Sequence, residues 1–122
     1  MVKGRIGQSK FKQGLKSREA KCAICLVDVE GFLIASHIKP WKDCTSSERL
    51  DLDNDLLLCP NHDWLFDKGY ISFEGNGDIM INPDNYQVIK SNMNIKESVK
   101  ISLNDRQKEY MAWHRGNYFK NE

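Results

Sequence analysis

Two short clusters constrain this chain more than anything else in it, Cys22-Ala23-Ile24-Cys25 and Cys59-Pro60-Asn61-His62. Each puts two soft ligands within the reach of one tight turn, so that both can meet a single metal ion. Together they make a Cys₃His set, a composition typical of closed tetrahedral zinc sites. Closing both on one ion ties the ends of a stretch of about forty residues, and metal binding is worth roughly 10–16 kcal/mol in isolated zinc peptides. With four protein ligands no coordination position remains for a substrate, so the metal reads as a staple.

The rest of the composition fits that staple. A chain of 122 residues is expected to form one domain with one modest core, which a metal usefully supplements. No run of eighteen apolar residues occurs, and the basic N-terminus lacks an apolar segment behind it. The expectation is therefore no membrane span, no secretory signal and a cytoplasmic location. In a reducing compartment, clustered cysteines point to metal and away from disulfides. Cys44, in the polar stretch Asp43-Cys44-Thr45-Ser46-Ser47, reads as a free loop thiol. The net charge of +1 hides an asymmetry: residues 1–21 sum to +6 and residues 43–79 to −7. A basic arm beside an acidic body suits a polyanionic partner together with a cation site.

Periodicity and turn residues give the elements. Gln8 to Arg18 reads as a short basic helix with Phe11 and Leu15 on one side. Phe32 to Ile38 reads as a strand ended by Pro40, and Lys39 to Asp53 as a long loop with room for one helical turn. Leu56-Leu57-Leu58 is an apolar run that leads into a helix from Pro60 to Lys68, with proline in its first turn and Gly69 at its end. Tyr70–Phe73 and Ile79–Ile81 flank a Gly-Asn-Gly turn as a hairpin, and Val88-Ile89 reads as a short strand. Arg106 to Phe119 is a helix with Asn104 or Asp105 as cap. The expected fold class is a small α+β domain over 1–122: a basic arm (1–21), a zinc-stapled ββα core (22–73), then a hairpin and C-terminal helix (74–122).

Two further features suggest chemistry. Asp63 and Asp67 stand at i and i+4 on the helix that begins at the second ligand pair, so their carboxylates share a face. Hard oxygen ligands of this kind suit Mg²⁺ or Mn²⁺. His37 ends the strand beside Ser36 and ahead of Lys39 and Lys42. A neutral imidazole there can take a proton from water attacking a phosphodiester, while a divalent ion opposite stabilises the departing 3′-oxygen.

The pattern of Cys-x-x-Cys, Ser36-His-Ile-Lys-Pro-Trp, and Asn54-Asp-Leu-Leu-Leu-Cys-Pro-Asn-His-Asp-x-Leu-Phe-Asp-Lys-Gly-Tyr-Ile-Ser-Phe closely resembles the HNH endonucleases. These are ββα-metal nucleases, and the likeness is to the branch found in bacterial restriction enzymes. The resemblance implies that His37 is the general base and that Asn54 braces the loop behind it. It implies that Asp63 occupies the place of the final motif histidine as ligand of the catalytic Mg²⁺ or Mn²⁺. Asp67 stands where colicin-type nucleases carry a further metal ligand. Cys22, Cys25, Cys59 and His62 would hold the structural zinc. Two departures are visible: Ser36 replaces the frequent acid or histidine before the base, and Asp63 makes the motif His-Asn-Asp.

Duplex DNA is the implied partner, met by Lys39, Lys42, Lys68, Arg115 and the basic arm, mostly at phosphates. The implied products carry 5′-phosphate and 3′-hydroxyl ends, in a restriction, defence or phage setting. One such centre cuts one strand, so double-strand cleavage calls for a homodimer, and high specificity for another domain or subunit. Trp41 reads as a half-buried packing aromatic and His114 as a packing histidine. The alternative for the same scaffold is a non-catalytic zinc-stapled DNA-binding module.

Overall fold

Strands β1 (Ile34–His37) and β2 (Asp55–Leu58) pair antiparallel, with His37 opposite Asp55 and Ile34 opposite Leu58. They belong to a computed structural model that describes residues 21–96 and 98–120, the Glu30 side chain excepted. The expected helix at Gln8–Arg18 and all of the basic arm but Lys21 lie outside the described residues. Every residue of β2 is buried, which explains its unbroken Leu56-Leu57-Leu58 run: both faces of the ribbon are covered.

The connection from β1 to β2 is more ordered than a loop with one helical turn. It holds a 3₁₀ turn at Trp41–Asp43, the short helix α1 (Ser46–Arg49) and a second 3₁₀ turn at Leu52–Asn54. The sequence signal is Thr45-Ser46-Ser47-Glu48, a capping box in which the Thr45 hydroxyl accepts from Glu48 N–H while Glu48 accepts from Thr45 N–H. Asp51 caps the second 3₁₀ turn by accepting from Asp53 N–H at 2.9 Å.

Helix α2 (Pro60–Asp67) packs on both strands and completes a ββα unit. Pro60 occupies its first turn, where a missing N–H costs nothing. The helix ends at Gly69, whose φ of +82° suits glycine. A Cβ there would also stand 2.1 Å from the Tyr118 carbonyl oxygen, so glycine is required twice over.

A second antiparallel ribbon follows: β3 (Ile71–Phe73) against β4 (Ile79–Ile81), Ile71 opposite Ile81. The stretch containing Val88 and Ile89 is not a strand. It belongs to helix α3 (Tyr86–Asn92), entered through a 3₁₀ turn at Pro83–Asn85 that Asn82 caps. Ile89 is buried and Val88 exposed, as a helical surface requires; two adjacent β-branched residues were too short a run to separate the periods.

Helix α4 (Asp105–Asn117) packs on β3 and on the Leu52–Asn54 turn. Asn104 is its cap, reciprocated by Gln107. Leu33, Ile38, Leu57, Leu58, Phe66, Ile71, Phe73 and Met111 lie in one continuous core that joins the ββα unit to the second ribbon. The architecture is the expected small α+β fold with flanking helices. Among the described residues no helix is long and apolar enough to cross a membrane.

Candidate metal centre and histidine site

The Cys₃His set assembles. Cys22 and Cys25 lie on a turn closed by Leu26 N–H donating to Cys22 O at 3.0 Å, and Leu26 adopts a positive φ of 66° to complete it. Cys59 is the N-cap of α2, and His62 sits in the first turn. One ligand atom from each residue lies within 4.8 Å of all the others. Cys25 Sγ is 3.8 Å from Cys59 Sγ, and His62 Nδ1 is 3.3 Å from Cys59 Sγ and 3.6 Å from Cys22 Sγ. Ligands about 2.3 Å from a tetrahedral zinc would stand about 3.8 Å apart, so the residues fit that ion.

The surroundings support ligation. His62 Nε2 lies 2.7 Å from the Met93 carbonyl oxygen, an outer contact that orients the ring with Nδ1 aimed at the sulfurs. Burial opposes ionisation of Cys22, but hydrogen bonds from His62 and from the backbone of Cys25, Cys59 and Ile24 outweigh it and bring the thiol down to about 6. Burial pushes Cys59 up to about 12, helped by the neighbouring Cys22 and Cys25. One thiolate thus forms readily, and a cation is needed to ionise the second.

A second constellation surrounds His37, at the end of β1. Its Nε2 lies 3.3 Å from the Arg49 carbonyl oxygen. Its Nδ1 lies 3.3 Å from Asp55 Oδ1, so two acceptors compete for the one hydrogen of the neutral ring. Burial holds the imidazole's pKa below its ordinary value. Trp41 meets the ring edge-on at 5.3 Å, and the Arg49 guanidinium stacks over Trp41 at 4.8 Å. Trp41 is half-buried, as expected.

Asn54 is fully buried behind this site. Its Oδ1 accepts from Lys39 N–H at 2.8 Å, and its Nδ2 donates to Lys39 O and Glu48 O, each at 3.3 Å. The same Nδ2 lies 3.2 Å from Cys44 Sγ, and that thiol donates to Lys39 O at 3.2 Å. Cys44 is therefore part of the brace around the connection, a role that its polar sequence context concealed.

The remaining residues singled out from sequence are distributed as follows. Asp63 is half-buried in the first turn of α2 and Asp67 is exposed in the last. Both flank the buried line of His62, Leu65 and Phe66. Lys42 and Lys68 are exposed. Lys39 pairs with Glu48 at 3.1 Å and lies 5.6 Å over the Trp113 ring. Arg115 donates to the Phe73 carbonyl at 2.8 Å. His114 is a packing residue: buried, stacked on Phe66 at 4.0 Å, with Ser72 Oγ at 2.8 Å and its Nε2 donating to Phe66 O at 3.0 Å. The residue that sequence reading passed over is Asp55, fully buried and 3.3 Å from His37. An acid opening an otherwise apolar strand was the available signal.

No curated protein is significantly similar in sequence to this chain. Residues 22–74 match the family model described as HNH endonuclease. That stretch runs from the first zinc-type ligand through β1, β2 and α2 to the end of β3, and over it the chain is similar to the HNH endonucleases.

Proposed function

We propose that residues 1–122 act as a single metal-dependent DNA endonuclease domain in which His37 is the general base. The observation that carries this reading is the anchored ring of His37. Arg49 O and Asp55 Oδ1 each lie 3.3 Å from one of its nitrogens, and burial favours the neutral imidazole, the form that can take a proton from an attacking water. Asn54 supports the same reading, because it ties Lys39 to the Glu48 carbonyl and so holds the connection that presents Arg49.

Asp63, with Asp67 as the weaker partner, would bind a catalytic Mg²⁺ or Mn²⁺. Such an ion supplies charge neutralisation at the phosphate and at the departing 3′-oxygen. The Cys22, Cys25, Cys59 and His62 set holds the structural zinc and fixes the start of α2 relative to β1. Lys42 and Lys68 are the exposed cations for binding phosphates, and the arm before Cys22 adds positive charge. Lys39 and Arg115 contribute with part of their donor capacity already used. The setting we infer is restriction, defence or phage biology, in the cytoplasm.

The test is cleavage of supercoiled plasmid by the zinc-loaded protein across Mg²⁺, Mn²⁺ and Ca²⁺. Nicked product with Mg²⁺ or Mn²⁺, lost in His37→Ala and Asp63→Ala while zinc content is unchanged, supports the assignment. Plasmid binding without cleavage under any of these ions overturns it in favour of a non-catalytic DNA-binding module.

A further inference from the structure

The acid beside the histidine has a role of its own. His37 and Asp55 face each other across β1 and β2. Ile38 N–H donates to Asn54 O at 2.8 Å, so that pair is hydrogen-bonded and the next one, His37 with Asp55, is not. Non-hydrogen-bonded pairs bring facing side chains closest. The outcome is His37 Nδ1 at 3.3 Å from Asp55 Oδ1, with the carboxyl side chain fully buried and the imidazole 11% exposed.

The chemistry follows from which atoms can donate. Each ring nitrogen has an acceptor 3.3 Å away, Arg49 O at Nε2 and Asp55 Oδ1 at Nδ1. The neutral ring has one hydrogen for these two acceptors, whereas the imidazolium has one for each. We propose that Asp55 is a positioning residue of the base: its buried carboxylate orients the His37 ring and stabilises the imidazolium formed when the ring takes the proton of the attacking water.

This proposal rests on the nuclease reading of the site. In the step, the water oxygen forms a bond to phosphorus and its proton passes to the His37 ring. The bond from phosphorus to the 3′-oxygen breaks, its electron pair leaves with that oxygen, and solvent reprotonates it. An isolated imidazolium inside the hairpin would be costly, because burial disfavours the charged ring. A carboxylate in contact with Nδ1 removes most of that cost. The other charges around the ring do not substitute for it. The Arg49 guanidinium of α1, stacked over Trp41, disfavours a second cation nearby. Lys39 and Glu48 compensate each other. Asp63 sits on α2, which packs against β1, and is assigned to the metal.

Asp55→Asn keeps the shape and removes the acid. In the zinc-loaded full chain, kcat for plasmid nicking should fall about tenfold or more with KM nearly unchanged, and the acid limb of the kcat profile should move down by about one pH unit or more. The His37 ring, followed by NMR without DNA, should show its midpoint moving the same way. An unmoved limb and an unmoved ring midpoint overturn the proposal, even if kcat falls, because Asp55 would then be merely structural. Absence of cleavage by the wild type defeats the nuclease reading, while the ring titration still judges the pair alone. Should Asp55→Asn fail to fold, the wild type decides: the Asp55 carboxyl carbon and the His37 ring must titrate with a shared midpoint, and separate midpoints refute the pair.

Discussion

Asn54 grips Lys39 at both ends of its backbone, accepting from its N–H at 2.8 Å and donating to its carbonyl at 3.3 Å. A primary amide can match the donor and acceptor of one residue in this way; a carboxylate or an aliphatic side chain cannot. Asn54→Ala takes the acceptor from the Lys39 N–H and one donor each from the Lys39 and Glu48 carbonyls, at a cost of about 2 kcal/mol. We expect that loss in urea unfolding, with zinc stoichiometry unchanged and nicking reduced about a hundredfold. Asn54→Asp should be no better, since it cannot donate to the two carbonyls.

Zinc removal is expected to unfold more than the Cys22–Cys25 turn. The ligands Cys59 and His62 begin α2, and the His62 ring also anchors Met93 through its 2.7 Å hydrogen bond to that carbonyl. Chelation should therefore loosen α2 and the end of α3 together, read as loss of helical circular dichroism that added zinc restores. Cys59→Ala should copy the chelated state at all zinc concentrations.

His114 makes stability depend on pH. Burial drives its pKa down to about 4 from an ordinary 6.5, so the unfolded chain takes up the proton first as pH falls. Its contribution is complete above pH 6.5 and is lost progressively toward pH 4. Over the fall from pH 7 to pH 4.5 the wild type should lose about 2–3 kcal/mol more stability than His114→Gln. Urea midpoints of both proteins at the two pH values measure this, and parallel losses would contradict it.

How much of this was legible in the chain depends on the range of the interactions. His37 stood out by its place at a strand end, and Asn54 only through the resemblance to the HNH endonucleases. The Cys₃His set announces itself through spacing, because turns and helix starts are local. The α2 boundaries were readable from Pro60 and Gly69 for the same reason. The Thr45–Glu48 capping box was equally local, and its chemistry stands in the sequence although the stretch read as loop. Asp55 and Cys44 were different. Whether an acid at the start of β2 meets His37 or solvent depends on strand register, and a one-residue slip would send it to the other face. Cys44 reaches Asn54 only once the connection has folded back across ten residues. Tertiary geometry also decided Val88-Ile89, which α3 claims although both residues favour strands.

Partner choice predicts unequal roles for the basic residues in DNA binding. Lys42 and Lys68 are exposed, whereas Lys39 is committed to Glu48 and Trp113. Taking one lysine away from a DNA phosphate should reduce the slope of log affinity against log salt by about 0.9. Lys42→Ala and Lys68→Ala are each expected to approach that value in a salt titration of duplex binding, and Lys39→Ala to give roughly half of it or less. Equal slopes for the three would show that the Glu48 pair opens on binding.

Asp63 should set the metal preference. An oxygen ligand in the first turn of α2 favours hard ions, whereas imidazole suits Co²⁺, Ni²⁺ and Zn²⁺. Asp63→His is conservative for the fold, because the residue is only half-buried and the zinc ligands Cys59 and His62 are untouched. Nicking with Mg²⁺ should fall about tenfold or more, while activity with Co²⁺ or Ni²⁺ rises relative to the wild type. The rate ratio between Ni²⁺ and Mg²⁺, measured for both proteins at fixed zinc content, carries the result. A ratio that stays constant would remove Asp63 from the catalytic ion's ligands and leave it as a helix-terminus charge.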